Sequence, residues 1–456
     1  MDNDIEYIVA RQRDFFATGT TLNVEYRLAA LRRIEAYLKL HEAEIEEAIK
    51  SDLGKSPFES YMCEVGLTLS ELRYQMSHLK RWAAPQYKVP DLANFPSSYR
   101  TIAEPYGITL VMSPWNYPVL LTLEPLIGAI AAGNCVVVKP SAYSPATSEQ
   151  IAKLVECTLE PGHVDVVLGG RAENTKLLDQ RFDYIFFTGS PTVGHLVMEK
   201  ASRYLTPVCL ELGGKSPCII AADTDLPLAA ARLAFGKWLN VGQTCIAPDY
   251  VLVEESIADQ FTSMLESAAI IMYGADAFEN PDYGHLVNEK HFNRVKALIE
   301  PEKVAFGGRV KPETLQIEPT VMRCTGDEPV MQEEIFGPIL PVIPYKTIEK
   351  AEAFIKAREK PLALYLFTKD KAVQDHFMRC VPFGGGCIND TIVHIATSHM
   401  PFGGIGNSGM GSYHGKNSFL TFSHTKSILK KYPLDLPMRN QPYNKVKAAM
   451  IRTFLR

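Results

Sequence analysis

The alternation of short apolar runs with longer amphipathic stretches constrains the fold of this chain more than any other feature. Apolar runs stand at Ile108–Met112, Cys135–Val138, Val164–Val167 and Tyr184–Phe187, and helical periodicity covers Val119–Ala132, Ser148–Leu159 and Thr192–Ser202. Strands that are apolar on both faces are typical of a parallel sheet covered by helices on both sides. The pattern resumes after Leu212 and continues to Ile388, so the sequence predicts an α/β chain with two doubly wound parallel sheets.

The segments outside this alternation predict helices and one extended arm. Apolar residues recur every three or four positions from about Leu22 to Lys50, which predicts a long amphipathic helix, and a second helical stretch covers Glu59 to Trp82. Residues 84–105 contain four prolines and predict an extended excursion that could form a hairpin arm. We expect this arm and the C-terminal tail to form a small third element.

Composition excludes several classes of protein. The 456 residues include 47 Lys and Arg against 52 Asp and Glu, and this weakly acidic balance gives no reason to expect nucleic-acid binding. The N-terminal residues lack the apolar core of a signal peptide, and no apolar stretch is long enough to span a bilayer. The nine cysteines are scattered, and no spacing of cysteine or histidine predicts a metal site. We therefore expect reduced thiols and a cytoplasmic protein.

One cysteine differs from the others in its surroundings. Cys245 lies in the loop Asn240–Pro248, between small and polar residues, whereas Cys135, Cys209 and Cys218 lie in apolar strand-like runs and are expected to be buried and inert. A nucleophilic cysteine needs exposure and a lowered thiol pKa. A loop cysteine is more often inert than catalytic, so this segment alone leaves both interpretations open.

Two other polar residues stand where catalytic groups are often found. Glu211 closes an apolar strand, where a carboxyl group with a raised pKa could act as a general base, although a salt-bridged structural glutamate fits equally well. Asn116 follows the strand Ile108–Met112, and its amide could stabilise an oxyanion or cap a helix.

Two further strand ends could bind phosphate or ribose. Lys139 ends one strand, and Gly189 and Ser190 lie between another strand and a helix, where free N–H groups favour an anion. A solvated lysine and an ordinary strand-to-helix turn are the alternatives, because the glycine spacing does not match the usual dinucleotide fingerprint.

Taken together and in this order, these segments resemble the aldehyde dehydrogenase superfamily. The matching segments are Ser113–Pro118, Val138–Ser141, Phe187–Gly194, Glu211–Pro217, Gly242–Pro248, Glu333–Pro338 and Pro401–Gly409. The residues around Cys245 and those from Asn407 to Gly415 resemble the class 3 branch, which acts on fatty and aromatic aldehydes.

The resemblance implies catalytic roles. Cys245 is expected to attack the aldehyde carbonyl as a thiolate, and the amide of Asn116 with the backbone N–H of Cys245 is expected to hold the resulting oxyanion. Hydride transfer to a nicotinamide leaves a thioester, and Glu211 is expected to activate the water that hydrolyses it to a carboxylic acid. These residue types suit the steps independently of the resemblance.

The resemblance also implies a cofactor site for NAD or NADP. Lys139 is expected to contact the adenosine ribose, Gly189 and Ser190 the pyrophosphate, and Glu334 the nicotinamide ribose, with Phe336 near the nicotinamide. Family members often have a glutamate three residues after the lysine, and this chain has Ala142 there. The absence of that carboxylate removes a repulsion against the 2′-phosphate, so we expect NADP to be used as well as NAD.

The expected domains follow from the same resemblance. Residues 1–83 and 106–212 form a Rossmann-like cofactor domain, residues 213–412 a catalytic domain, and residues 84–105 with 413–456 a small β bridging and oligomerisation element that suits a homodimer. Tyr61, Tyr117 and Trp238 are candidate pocket walls or core residues. Residues 444–456 could form a basic amphipathic helix that contacts a membrane peripherally or docks on a subunit.

Two rival functions remain at this stage. An acylating or reductive relative would pass the thioester to coenzyme A or run in reverse, and Glu211 disfavours both because a water-activating base serves hydrolysis. A non-catalytic protein could keep the fold, but it would not need Cys245, Glu211 and Asn116 together.

Overall fold

The computed structural model describes residues 4–91, 94–434 and 437–455. Its α-helices are α1 Ile5–Ala17, α2 Val24–Leu40, α3 Glu42–Leu53, α4 Pro57–Ser60, α5 Gly66–Ala83, α6 Leu120–Ala132, α7 Pro145–Thr158, α8 Arg171–Leu178, α9 Pro191–Ser202, α10 Leu226–Trp238, α11 Ala258–Tyr273, α12 Glu289–Lys296, α13 Ile348–Lys356, α14 Lys371–Cys380, α15 Lys416–Thr421 and α16 Lys445–Phe454.

The strands follow the same chain order. They are β1 Gln86–Lys88, β2 Ser97–Pro105, β3 Ile108–Met112, β4 Cys135–Lys139, β5 Val164–Val166, β6 Tyr184–Gly189, β7 Val208–Leu212, β8 Pro217–Ile220, β9 Tyr250–Glu254, β10 Val304–Phe306, β11 Val310–Lys311, β12 Gln316–Ile317, β13 Thr320–Arg323, β14 Ile339–Tyr345, β15 Ala363–Phe367, β16 Gly385–Ile388, β17 Gly409–Met410 and β18 Ser423–Lys431.

The first large sheet has the strand order β17-β7-β6-β3-β4-β5 and is parallel except for β17. Successive residues of β3 enter opposite cores: Leu110 packs with residues of α1 and α9, and Val111 packs with residues of α2, α5 and α6. Every residue of α6 is buried. This arrangement explains why the strands are apolar throughout, and it confirms the predicted parallel sheet with helices on both faces.

The second large sheet has the order β10-β13-β14-β9-β8-β15-β16 and is parallel except for β10. Helix α10 lies between β8 and β9 in the chain and packs against α11. The mixed α/β class with two doubly wound sheets is therefore confirmed.

The extended arm is also present. β1 pairs with β2, and β2 pairs along its whole length with β18, so residues 84–105 and the C-terminal segment form one antiparallel sheet. Most side chains of β18 are exposed.

Three details differ from the sequence-based expectations. The helix predicted from Leu22 to Lys50 is interrupted at His41, so that α2 and α3 are separate helices. Helix α1, which the sequence pattern did not predict, caps one face of the first sheet.

The predicted boundary at residue 412 is the third difference, because the chain leaves the second sheet after Ile388. Gly409 and Met410 pair with Glu211 and Leu210 of β7, and α15 packs against α6. The first sheet and its helices are thus completed by residues from the C-terminal part of the chain.

Candidate active site

The polar side chains named from the sequence lie where parallel strands of the first sheet end. Lys139 is paired with Met112 across β3 and β4, and Glu211 is paired with Thr188 across β6 and β7. Because the carboxyl ends of parallel strands share one edge, the loops after β3, β4, β6 and β7 open toward the same crevice.

The loop that carries Cys245 leaves α10 through a strained turn. Asn240, Val241 and Gly242 have φ of 51°, 55° and 74°, three successive left-handed conformations. A β-branched residue such as Val241 rarely adopts this conformation, and such outliers persist only where the surroundings enforce them. Gly242 has no room for a Cβ, which would collide with the carbonyl of Gly337. The fold therefore fixes the backbone just before Cys245.

Asn116 is tied to this loop through its side chain. Its buried Nδ2 donates to the carbonyl oxygen of Gln243 at 2.9 Å, two residues before Cys245. The neighbouring Tyr117 is also buried, and its hydroxyl oxygen lies 2.6 Å from Oγ1 of Thr244. The segment after β3 and the Cys245 loop thus form one hydrogen-bonded unit across the two sheets.

The electrostatic surroundings of the Cys245 thiol are acidic. Burial, followed by the carboxyl groups of Glu334 and Glu211, raises the pKa of Cys245 to about 12, while the backbone N–H groups of Cys245 and Ile246 act in the opposite direction. The carboxyl groups of Glu334 and Glu211 therefore disfavour the Cys245 thiolate, and the two backbone N–H groups favour it. Cys245 is half-buried and free, whereas Cys135, Cys209 and Cys218 are fully buried, as expected for inert core thiols.

Glu211 is a buried carboxyl group without a countercharge. Its backbone lies between β6 and β17, its side chain is 3% exposed, and Oε2 has no hydrogen-bond partner. Burial raises the pKa of Glu211 well above its ordinary value. A carboxyl group held this way is a stronger base when ionised than an exposed one.

A second acidic residue reaches the site from the second sheet. Burial and Asp249 raise the pKa of Glu334 to about 8, and Oε1 is buried without a hydrogen-bond partner. Asp249 accepts from the N–H of Ile335 at 3.0 Å and forms an ion pair with Lys215. Asp249 and Lys215 thereby fix the turn around Glu334, next to the Cys245 loop.

Phe336 lies in the same turn with a left-handed φ of 49°. Its ring meets that of Trp115 edge to face, with centroids 5.3 Å apart. Trp115 precedes Asn116, so the half-buried Phe336 stands beside the segment that supplies the amide.

Lys139 and the turn after β6 lie on the first sheet. Nζ of Lys139 donates to the carbonyls of Pro140 and Gly169 at 2.7 and 2.6 Å, and burial lowers the pKa of Lys139 to about 8. Ser190 caps α9 by accepting from the N–H of Val193 at 3.4 Å, and Gly189 precedes it. Ala142 is exposed, three residues after Lys139.

The three predicted pocket residues have different positions. Tyr61 is 44% exposed, and Tyr117 is buried beside Thr244. Trp238 has 0% exposure and donates through Nε1 to the carbonyl of Pro338 at 2.9 Å. A side chain without accessible surface cannot line an open pocket, so of the two alternatives for Trp238 its burial fits the core.

Sequence reasoning missed residues that hold the site together. Lys55, Glu64, Asn240 and Gln243 contact the segment around Asn116, and all four are buried. Lys55 and Glu64 carry no motif and lie far from Asn116 in the chain, so no sequence signal pointed to them. Within the described residues, no group of three or more metal-ligating side chains is placed to hold an ion.

The C-terminal helix predicted from residue 444 is present as α16, with Asn444 as its N-cap. Every side chain of this helix is exposed or half-buried, including Val446 and Met450. No helix in the ranges that the structure describes is both long and apolar enough to cross a membrane.

Comparison with known proteins places this geometry in a family. The model of the aldehyde dehydrogenase family matches residues 1–428. The chain is 42% identical over 458 aligned positions to 4,4'-diaponeurosporen-aldehyde dehydrogenase of Staphylococcus aureus, covering 100% of both chains. It is also 42% identical to the dimeric NADP-preferring aldehyde dehydrogenase of Rattus norvegicus, covering 99% of this chain and 100% of that one.

A solved structure agrees with these relatives. The substrate-bound state of Staphylococcus aureus AldH superposes with a TM-score of 0.97 at 41% identity, covering 99% of each chain. The chain therefore belongs to the aldehyde dehydrogenase family and is an oxidoreductase that acts on aldehydes with NAD or NADP.

Proposed function

We propose that this enzyme oxidises apolar aldehydes, long-chain or aromatic, to carboxylic acids by way of a thioester on Cys245. The observation that carries the proposal is the hydrogen bond that holds the Asn116 amide two residues before Cys245, and the influence of the Glu211 carboxyl group on the pKa of the Cys245 thiol supports it. A relative named for 4,4'-diaponeurosporen-aldehyde and the class 3 resemblance support the apolar substrate class.

Cys245 and Asn116 perform the first half of the reaction. The thiol gives its proton to solvent water and the thiolate attacks the aldehyde carbon, so a C–S bond forms, the C=O π bond breaks and the carbonyl oxygen becomes an oxyanion. An amide nitrogen carries two hydrogens, and the bond from Asn116 to Gln243 uses one of them. The other hydrogen and the backbone N–H of Cys245 are available to the oxyanion, whose stabilisation is often the largest catalytic term.

Glu211 performs the second half. After the hydride has left the substrate carbon, the acyl group remains on sulfur and water must attack it. Glu211 takes a proton from that water, the C–S bond breaks, and the carboxylic acid leaves. Its burial supports this role, because a buried carboxylate whose Oε2 has no hydrogen-bond partner favours accepting a proton.

The residues around the crevice fit a nicotinamide dinucleotide, which when bound supplies the hydride acceptor. Oε1 of Glu334 is buried and unpartnered, as expected of a group that accepts from a ribose hydroxyl. Lys139 would hold the adenosine ribose, Gly189 and Ser190 the pyrophosphate, and Phe336 the nicotinamide face. Ala142 leaves the 2′-position free of negative charge, and the NADP-preferring rat relative supports NADP use.

This assignment favours hydrolysis over transfer to coenzyme A, because the buried Glu211 supplies a base for water. The same assignment gives each sheet a role. The first sheet with its helices binds the cofactor, and the second sheet carries the nucleophile. The strands β1, β2 and β18 mediate dimer formation. The dimeric rat relative supports the last assignment.

We further assign α16 to peripheral contact with a membrane in a cytoplasmic enzyme. Lys445, Lys447 and Arg452 accompany exposed Val446 and Met450, a combination that suits an anionic lipid surface. Docking on a neighbouring subunit is the alternative. Co-sedimentation with anionic vesicles, with and without residues 440–456, distinguishes them, and equal binding of both forms excludes the membrane role.

The test of the main proposal follows the absorbance of reduced cofactor with aldehydes of graded chain length and with benzaldehydes. Activity that rises with apolar surface and disappears in Cys245→Ser supports the assignment. Activity equal to that of the serine variant, or restricted to short polar aldehydes, overturns it.

A further inference from the structure

We propose that the buried ion pair of Lys55 and Glu64 positions the oxyanion donor Asn116. The inference rests on the proposed role of the Asn116 amide and extends it to two residues that do not touch the substrate. Lys55 is 1% exposed and Glu64 0% exposed, and Nζ lies 2.7 Å from Oε1.

Lys55 contacts the backbone of Asn116 directly. Nζ of Lys55 donates to the backbone carbonyl of Asn116 at 2.8 Å, and Nδ2 of Asn240 donates to the same oxygen at 2.8 Å. Nζ also lies 3.9 Å from the centre of the Tyr117 ring. The ammonium group therefore contacts the carboxylate of Glu64, the carbonyl of Asn116 and the ring of Tyr117.

Glu64 contacts the next turn of the chain. Its second oxygen, Oε2, accepts from the N–H of Val119 at 2.8 Å and from that of Leu120 at 3.4 Å, where α6 begins. A carboxylate satisfies the free N–H groups and the positive end of a helix. The ion pair therefore holds residues 116–120 at both ends. Lys55 binds the carbonyl of Asn116, and Glu64 binds the backbone N–H groups where α6 begins.

The contacts that hold the backbone of Asn116 also bear on its side-chain amide. The backbone of Asn116 is held by Lys55 and Asn240, and its side chain by the carbonyl of Gln243. With both backbone and side chain fixed, the free N–H of the amide has one direction. Loss of Lys55 leaves the carbonyl of Asn116 with the single donor Asn240, and a displacement of about 1 Å at a catalytic group can cost roughly 100-fold in rate.

Glu64 occupies a special part of its helix. Residues Tyr61–Val65 form a π-helical turn between α4 and α5, and such turns occur frequently at functional sites. The wider turn carries Glu64 where it faces both Lys55 and the start of α6. The π-helical turn thus places Glu64 in contact with both Lys55 and the start of α6.

The test compares Lys55→Met, Glu64→Gln and the double variant in two backgrounds, the natural chain and Asn116→Ala. We expect Lys55→Met to lower kcat by about 10- to 100-fold, with the aldehyde KM and the Kd of NADP changed less than about threefold. In the Asn116→Ala background the same substitution should lower kcat by less than about threefold, because its target is gone. The double variant keeps the site neutral and covers the case in which Lys55→Met fails to fold.

Controls separate positioning from general stability. Arg11→Met breaks another ion pair, with Asp165 at the far side of the first sheet, and should lower the melting temperature without changing kcat. An equal loss of kcat in both backgrounds, or full kcat in a folded Lys55→Met variant, overturns the positioning role. If Asn116→Ala alone leaves kcat unchanged, the oxyanion assignment itself is wrong, and alkylation of Cys245 by iodoacetamide then shows whether the thiol site is intact.

Discussion

The amide nitrogen of Asn116 and the carbonyl oxygen of Gln243 lie 2.9 Å apart, which links the end of β3 to the Cys245 loop. We therefore expect Asn116→Ala to lower kcat by about 10²- to 10³-fold, the usual cost of removing one oxyanion donor. Alkylation of Cys245 by iodoacetamide, which forms no oxyanion, should keep its rate. A parallel loss of alkylation would mean that the amide supports the loop and not the oxyanion.

Glu211→Gln should separate the two halves of the reaction. Without the base, the thioester forms but hydrolyses slowly, so steady-state turnover falls by about 10²- to 10⁴-fold. Rapid mixing should still show a burst of reduced cofactor equal to the concentration of active sites. Cys245→Ser should show neither burst nor turnover. Loss of the burst in Glu211→Gln would place this residue in the first half of the reaction.

Glu334 should control the pH dependence of Cys245 reactivity in the free enzyme. Its carboxyl group, with a pKa of about 8, ionises as pH rises and then disfavours the nearby thiolate, contributing to the raised pKa of Cys245. Glu334→Gln removes this negative charge, so the thiol pKa falls and alkylation at pH values above about 8 becomes faster. The exposed neighbour supplies the control: Glu333→Gln should leave the pH profile where it is.

Lys139 should make cofactor binding depend on pH. Burial lowers its pKa to about 8, so in the free enzyme the charge is present below that value and is lost above it. A ligand that favours the charged form then binds with constant affinity below about pH 8 and more weakly above it. Lys139→Met should raise the Kd of NADP by about 10- to 100-fold, the cost of a charged hydrogen bond.

The same Lys139→Met variant should lose the pH dependence of that Kd, measured by quenching of protein fluorescence. Lys153→Met, at an exposed lysine on α7, is the matched control and should bind as the natural chain does. A Kd with the same pH dependence in the Lys139→Met variant would assign the titration to another group.

Ala142→Glu should restore discrimination against NADP. The new carboxylate would repel a 2′-phosphate and accept from a 2′-hydroxyl, so kcat/KM for NADP should fall at least tenfold relative to that for NAD. Ala142→Gln introduces the same volume without charge and should change the ratio much less. An equal effect of both substitutions would indicate a steric cause.

Sequence patterns predicted the elements of this fold well where the strands are apolar and short. The β3 strand begins and ends at the predicted residues, because its period and its neighbours leave no alternative. The break at His41 was missed, since helical periodicity continues across it. The sequence leaves Trp238 open between pocket wall and core, because a tryptophan near the Cys245 loop fits both equally well until its burial is known.

The candidate site divides in the same way. Asn116, Lys139, Glu211 and Cys245 stand at strand ends or in punctuated loops, positions that a sequence reveals. Lys55 and Glu64 meet Asn116 only through the packing of α3, α4 and α5 against the first sheet, and such contacts between distant residues leave no local pattern. Chemistry-bearing residues were accessible from the sequence, and the residues that orient them were not.

The return of the chain to β7 has a consequence for how the molecule is made. Ser418 and Phe422 pack against Gly128 of α6, and the carbonyl of Phe422 accepts from Asn134. The hydrophobic core around α6 is therefore incomplete until residues near 422 emerge from the ribosome. The residues of the second sheet therefore lie between two stretches of chain that both belong to the first sheet and its helices. A fragment that stops before β17 would expose both the edge of β7 and the face of α6 that α15 covers.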